Sequence, residues 1–174
     1  METLEARVEA HIRQAVEVFQ NLPADVLLHP APDNGWSIAQ CLAHLNSYGA
    51  YYLPHIRQGL DHAAKTAPDD TFTSTWLGSY FTRMMNPATG KRKYKAFKNH
   101  IPLPDLDAHA VVATFIGQQE LLLLCLREAR QVNLNIIRIP VSIVSWVRLR
   151  LGDVFGFLIA HTERHLQQAS RGAP

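Results

Sequence analysis

The stretch F157-L-I-A-H-T-E-R-H-L-Q-Q-A169 decides how this chain is read. At about 100° per residue, Val154, Leu158, His161 and His165 fall on one narrow stripe, with Phe155, Thr162, Leu166 and Ala169 beside it. Glu163 and Gln167 point the other way. The pattern predicts an amphipathic helix with both histidines on its buried face. Four residues rise about 6 Å and turn about 400°, so the two imidazoles stack and can hold one metal ion from adjacent turns. The order H161-T-E-R-H165 differs from the H-E-x-x-H of metalloproteases, because Glu163 is displaced from the face that carries the pair.

Three more helical patterns lie upstream. The first runs from about Thr3 to Leu22 on Leu4, Val8, Ile12, Ala15 and Phe19, and Pro23 ends it. The second opens at S37-I-A-Q40, which has capping-box spacing, and continues to about Ala64 with Pro54 inside it as a candidate kink. The third starts near Asp105 or Asp107 and runs to about Arg130. The last begins near Gly152-Asp153. A long stretch rich in Pro, Gly, Thr and aromatics, 68–104, separates the second and third, and Val132 to Val141 alternates weakly enough to be extended. The expected fold is all-α, a four-helix bundle with long connections between helices 2 and 3 and between 3 and 4, forming a single domain over 1–174.

Composition narrows the function classes. Net charge is +2 and 18% of residues are charged, which does not by itself suggest nucleic acid or an acidic membrane. Cys41 and Cys125 fall on apolar faces of two different helices, read as buried free thiols. The chain opens M-E-T-L-E-A-R without an apolar signal region, and the most apolar stretch, 136–159, carries Arg138, Arg148, Arg150 and Asp153. The expectation is a cytoplasmic protein without a membrane partner. Neither cysteine has a basic or histidine neighbour in its motif, and no G-x-S-x-G or phosphate-cradling glycine loop is present.

A catalytic zinc-type site needs about three protein ligands and one open position. His44, at the edge of the second helix's apolar stripe, is the leading third ligand, with His11 in reserve. Tyr48, Tyr51, His55 and His62 share a flank with His44. Gln119 lies inside the third helix's apolar stripe, and Gln168 lies one turn past His165. Tyr48, Gln119 and Gln168 read as pocket residues or as boundary residues reaching solvent, while His55 and His62 read as boundary residues.

The motifs W36-S-I…H44-L45 and H161-x-x-x-H165-L-x-Q168, with L151-G-D153 leading into the last helix, resemble the DinB/YfiT-like superfamily of small bundle proteins. The resemblance spans the chain by helix order. It implies a four-helix bundle holding a divalent metal on His44, His161 and His165. It also implies a metal-dependent enzyme, since characterised relatives include S-transferases and isomerases that use low-molecular-weight thiols. Imidazole ligands suit zinc, nickel, iron or cobalt about equally.

Three functions compete. The first is a metal-dependent thiol S-transferase or hydrolase acting on a small molecule, with a homodimer as the expected assembly. The second is a non-catalytic, small-ligand-binding or stress-response bundle protein with a structural or vestigial metal. The weakest is a nucleic-acid partner. It rests on the run K91-R-K-Y-K-A-F-K98 in a segment, 71–104, that has no acidic residue. A solvated basic loop, or one meeting an anionic substrate, is the alternative for Lys91 to Lys98.

Overall fold

The computed structural model describes residues 1–32, 35–66, 72–90 and 95–173. Six α-helices and one β-hairpin make up the described elements: α1 (Glu2–Gln14), α2 (Ala24–Leu28), α3 (Ile38–Asp61), α4 (Trp76–Met85), α5 (Ala108–Ala129), β1 (Arg138–Val141), β2 (Val144–Arg150) and α6 (Leu151–Ala169). The protein is thus mostly helical, as its periodicity predicts, with a small two-stranded sheet in place of a purely helical chain.

Local chemistry sets the helix ends. At α3 the Gln40 N–H donates to Ser37 Oγ (3.1 Å) and the Ser37 N–H donates to Gln40 Oε1 (3.0 Å), the reciprocal box the sequence predicts. Asp107 caps α5 by accepting the Ala110 N–H at 3.0 Å. α3 continues through Pro54 as one helix. The first helical pattern does not continue to Leu22. It loosens into a π turn at Ala15–Phe19, and Pro23 then opens the short α2.

The four long helices pack pairwise, α3 against α5 and α6, and α1 against the same two. Their apolar faces build two core clusters. One holds Tyr52, Ile56, Leu126, Val154 and Phe155, and the other holds Phe19, Leu42, Phe115 and Leu166. Each fully buried Leu, Ile or Phe stabilises the fold by roughly 1.5–3 kcal/mol. On α6 the histidines fall between the stretches that feed these two clusters, and on α3 His44 lies between Leu42 and Leu45 of the second. α5 is the one helix among the described residues that is long and apolar enough to cross a membrane, yet Val112, Phe115, Leu122 and Leu126 on it are buried in the protein core.

Two elements correct the sequence reading. The antiparallel hairpin pairs Ile139 with Leu149 and Arg138 with Arg150, and β2 runs directly into α6. Its second strand hides in a stretch whose apolar content resembles a buried helix, since length and periodicity alone separate the two poorly. The long connection read over 68–104 contains α4, which packs on α6.

A buried carboxylate anchors α4. Asp153, 1% exposed in the first turn of α6, accepts from Ser74 Oγ and from the Thr75 N–H and Oγ1, while Thr75 in turn caps α4 by accepting the Gly78 N–H. The approach is so close that a Cβ at Gly78 would overlap the Asp153 carboxyl group. Asp153→Ala strands these donors and is expected to cost about 3 kcal/mol. That corresponds to a melting temperature lower by about 6–12 °C. An unchanged melting curve would show that α4 is held by packing alone.

Candidate metal centre

His44 comes from the middle of α3, and His161 and His165 come from successive turns of α6. α3 and α6 pack against each other, so their buried faces bring the three imidazoles together. One ring nitrogen from each lies within 4.8 Å of the other two, and His44 Nε2 is 3.2 Å from His161 Nε2. Two nitrogens bound to one zinc-sized ion at about 2.0–2.1 Å and near-tetrahedral angles stand about 3.3 Å apart. The donor set and this spacing fit a divalent ion.

Two ring orientations are fixed from behind. The His44 Nδ1–H donates to the His100 carbonyl (2.6 Å), and the His165 Nδ1–H donates to Gln168 Oε1 (3.1 Å). Each bond places the hydrogen on Nδ1 and leaves the Nε2 lone pair free, the arrangement that metal-binding histidines require. Gln168, a pocket candidate from the sequence, thus acts by orienting a histidine.

Burial keeps the cluster neutral. It lowers the His44 pKa from 6.5 to about 4, although the His100 carbonyl works against the shift. It likewise lowers His165 to about 3, with His44 adding to the effect. His161 lies well below its ordinary value, first through burial and then through the neighbouring His165 and His44. Neutral imidazoles are the form that ligates.

Aromatic rings wall the cluster. Trp36 stacks on His165 at 5.9 Å between centroids and tilts over His44 at 4.9 Å. Tyr48 sits edge-on to His161 at 4.5 Å, and Phe157 stacks on His161 at 5.5 Å. Burial pushes the Tyr48 hydroxyl up to about 12, so it remains protonated. Tyr48, the second pocket candidate, is therefore at the site.

His100 is the residue that sequence reasoning missed. It is 5% exposed and stacks on Tyr48 at 3.8 Å. Its Nδ1–H donates to Ser47 Oγ (2.8 Å), and its Nε2 accepts from Ser142 Oγ (3.0 Å) in the hairpin turn. The hairpin, the turn at Lys98–His100 and His44 are thereby joined. Nothing local in N99-H100-I101 signals this, because the contact with His44 uses a backbone carbonyl.

Other sequence candidates lie elsewhere. His11, the reserve ligand, is not in the cluster. Its Nδ1 is 3.3 Å from Gln119 Oε1 and its Nε2 is 3.8 Å from Glu163. Gln119, the third pocket candidate, meets His11 there. Glu163 faces away from the histidine pair, as its helical position predicts, and takes a two-pronged bond from Arg7 at 2.7 and 2.8 Å. Burial would raise its pKa, but the His11 and Arg7 side chains outweigh that and hold it at about 2. His55 and His62 each bond the backbone carbonyl one turn before them on α3, away from the cluster. Burial pushes the Cys41 thiol up to about 12, so it is no ready nucleophile. In the basic run, 91–94 lie outside the described residues. Gly90, just before it, is tied to α6 by Arg164 Nη1 donating to its carbonyl at 2.8 Å.

Fold and site together define a helical protein with a three-histidine cluster, His44 and His161 buried and His165 half-buried, suited to a divalent metal. The family model of the DinB superfamily matches residues 7–169, and the chain belongs to that superfamily. Comparison with curated proteins and with solved structures returns no match.

Proposed function

We propose that the four long helices act as a four-helix bundle whose His44, His161 and His165 hold one divalent ion, and that the protein is a metal-dependent enzyme transferring a small thiol to an electrophilic substrate. The observation that carries this reading is the 3.2 Å spacing of the His44 and His161 Nε2 atoms, together with the Nδ1 bonds that leave lone pairs on His44 and His165 free. Three protein ligands leave one coordination position for substrate.

A divalent ion bound there supplies positive charge that keeps a coordinated thiol as thiolate, or lowers the pKa of a coordinated water. The chain's own residues favour the thiol. Among the described residues no carboxylate joins the cluster, and Tyr48 holds its proton, so general-base help for water is lacking. A thiol needs no such base once coordinated. Trp36, Tyr48 and Phe157 exclude water and offer apolar surface to the substrate. The His100 carbonyl and Gln168 keep the His44 and His165 rings in place.

The test is thiol consumption with an electrophilic acceptor, using low-molecular-weight thiols, in metal-loaded and chelator-stripped protein. Activity should appear only in the loaded form and return on adding metal. Hydrolysis of the acceptor without thiol would move the assignment to a hydrolase. No turnover in either assay would leave the small-ligand-binding role.

A further inference from the structure

Each imidazole that ligates through one ring nitrogen must place the hydrogen of the other. His44 gives its Nδ1–H to a carbonyl and His165 gives its Nδ1–H to an amide oxygen. His161 differs. It is 2% exposed, its Nε2 is turned to His44, and its Nδ1 has no hydrogen-bond partner among the described residues. A buried polar group left unpaired destabilises the fold, and ordered water commonly meets such groups.

A cavity is present for that water. Between α3, α5 and α6 lies a space of about 20 Å³ that a water molecule can enter, lined by His161, Thr162, Tyr48 and Gln119 among others. Holding one water takes about 10–15 Å³ and two to four polar partners. The volume suffices, and His161, Thr162, Tyr48 and Gln119 bring polar groups to its lining. Gln119 is 7% exposed and its Oε1 faces His11 Nδ1, which leaves its amide N–H groups for another partner. Thr162, 4% exposed, offers a hydroxyl that both donates and accepts.

We propose that this cavity holds a single water molecule that accepts the His161 Nδ1–H, and that Gln119 and Thr162 hold the water and so position His161 through it. The inference rests on the metal reading, in which His161 ligates through Nε2. All three histidines then have a partner behind the ring: a backbone carbonyl, a glutamine oxygen and a water. Gln119 becomes the link between the cluster and the His11–Glu163–Arg7 group on the far side of α6.

High-resolution crystal structures of the zinc-loaded and metal-free protein should show ordered density within hydrogen-bond distance of His161 Nδ1. A dry cavity, or a direct protein bond to Nδ1, would overturn the proposal. Thr162→Val and Gln119→Leu should each lower zinc affinity about 10- to 100-fold in chelator competition, with unchanged circular dichroism. Both should shift the visible absorption bands of bound Co²⁺, which a merely structural role would leave alone. Thr162→Val keeps the His11–Gln119 bond, so it isolates the water from that contact. An ordered water with unchanged zinc affinity in both variants would overturn the positioning role. Wild-type protein that binds no zinc would sink the metal reading instead, and the density in the metal-free crystal would still decide the water.

Discussion

His161→Ala should weaken divalent-metal binding about a thousand-fold, or about 4 kcal/mol. His161 approaches both other members of the cluster. Its Nε2 is 3.2 Å from that of His44, and its ring lies 4.7 Å from that of His165 on the next turn of the same helix. Removing it leaves two ligands on different helices, and two imidazoles alone hold an ion weakly. The same change should do little harm to the metal-free fold. It deletes a buried ring whose Nδ1 has no protein hydrogen-bond partner among the described residues, so no protein bond is lost at that atom. Affinity measured by calorimetry and melting measured in chelator separate the two effects. A His161→Ala variant that binds metal as tightly as wild type would remove the histidine from the site.

The second large effect is on stability against pH. In the unfolded chain these histidines titrate near 6.5. In the folded protein His44 stays neutral down to about 4 and His165 down to about 3, and burial holds His161 well below its ordinary value. Between those limits the unfolded state binds protons that the folded state refuses. The stability of the metal-free protein is therefore complete above 6.5 and falls as pH drops toward the folded values. For His44 alone the difference amounts to about 3 kcal/mol by pH 4. Bound metal acts in the same direction, because it too requires neutral rings. Melting temperatures in chelator should be flat from about pH 8 to 7 and should fall steadily below about 6.5. Equal melting at about pH 7.5 and 5 would mean that the three rings are solvated and not held in a buried cluster.

Much of this site could be read from the sequence because its signals are local and periodic. Ser37 and Gln40 announce the start of α3 by spacing alone, and their reciprocal bonds form. The i,i+4 pair on an apolar face puts His161 and His165 together, and His44 shares the buried side of α3. What stayed hidden depends on contacts between distant segments. α4 lies between stretches rich in Thr, Pro and Gly, and its position is set by Asp153, 78 residues beyond its Thr75 cap. The β2 strand, Val144–Arg150, sits in an apolar run whose pattern a buried helix would share. His100 acts through a backbone carbonyl, which no side-chain motif encodes. His11 looked like a ligand because it is buried on an apolar face, but its neighbours are Gln119 and Glu163. Burial alone could not say which histidines converge.

The account stands or falls on whether the cluster holds an ion. The direct measurement is metal content by elemental analysis, with intact mass under native conditions, on protein purified without chelator or nickel-affinity steps. One divalent ion per chain is expected, retained through gel filtration and lost in His44→Ala, His161→Ala and His165→Ala. A wild-type protein that is metal-free after purification and stays so in micromolar zinc, cobalt, nickel and iron would contradict the central claim.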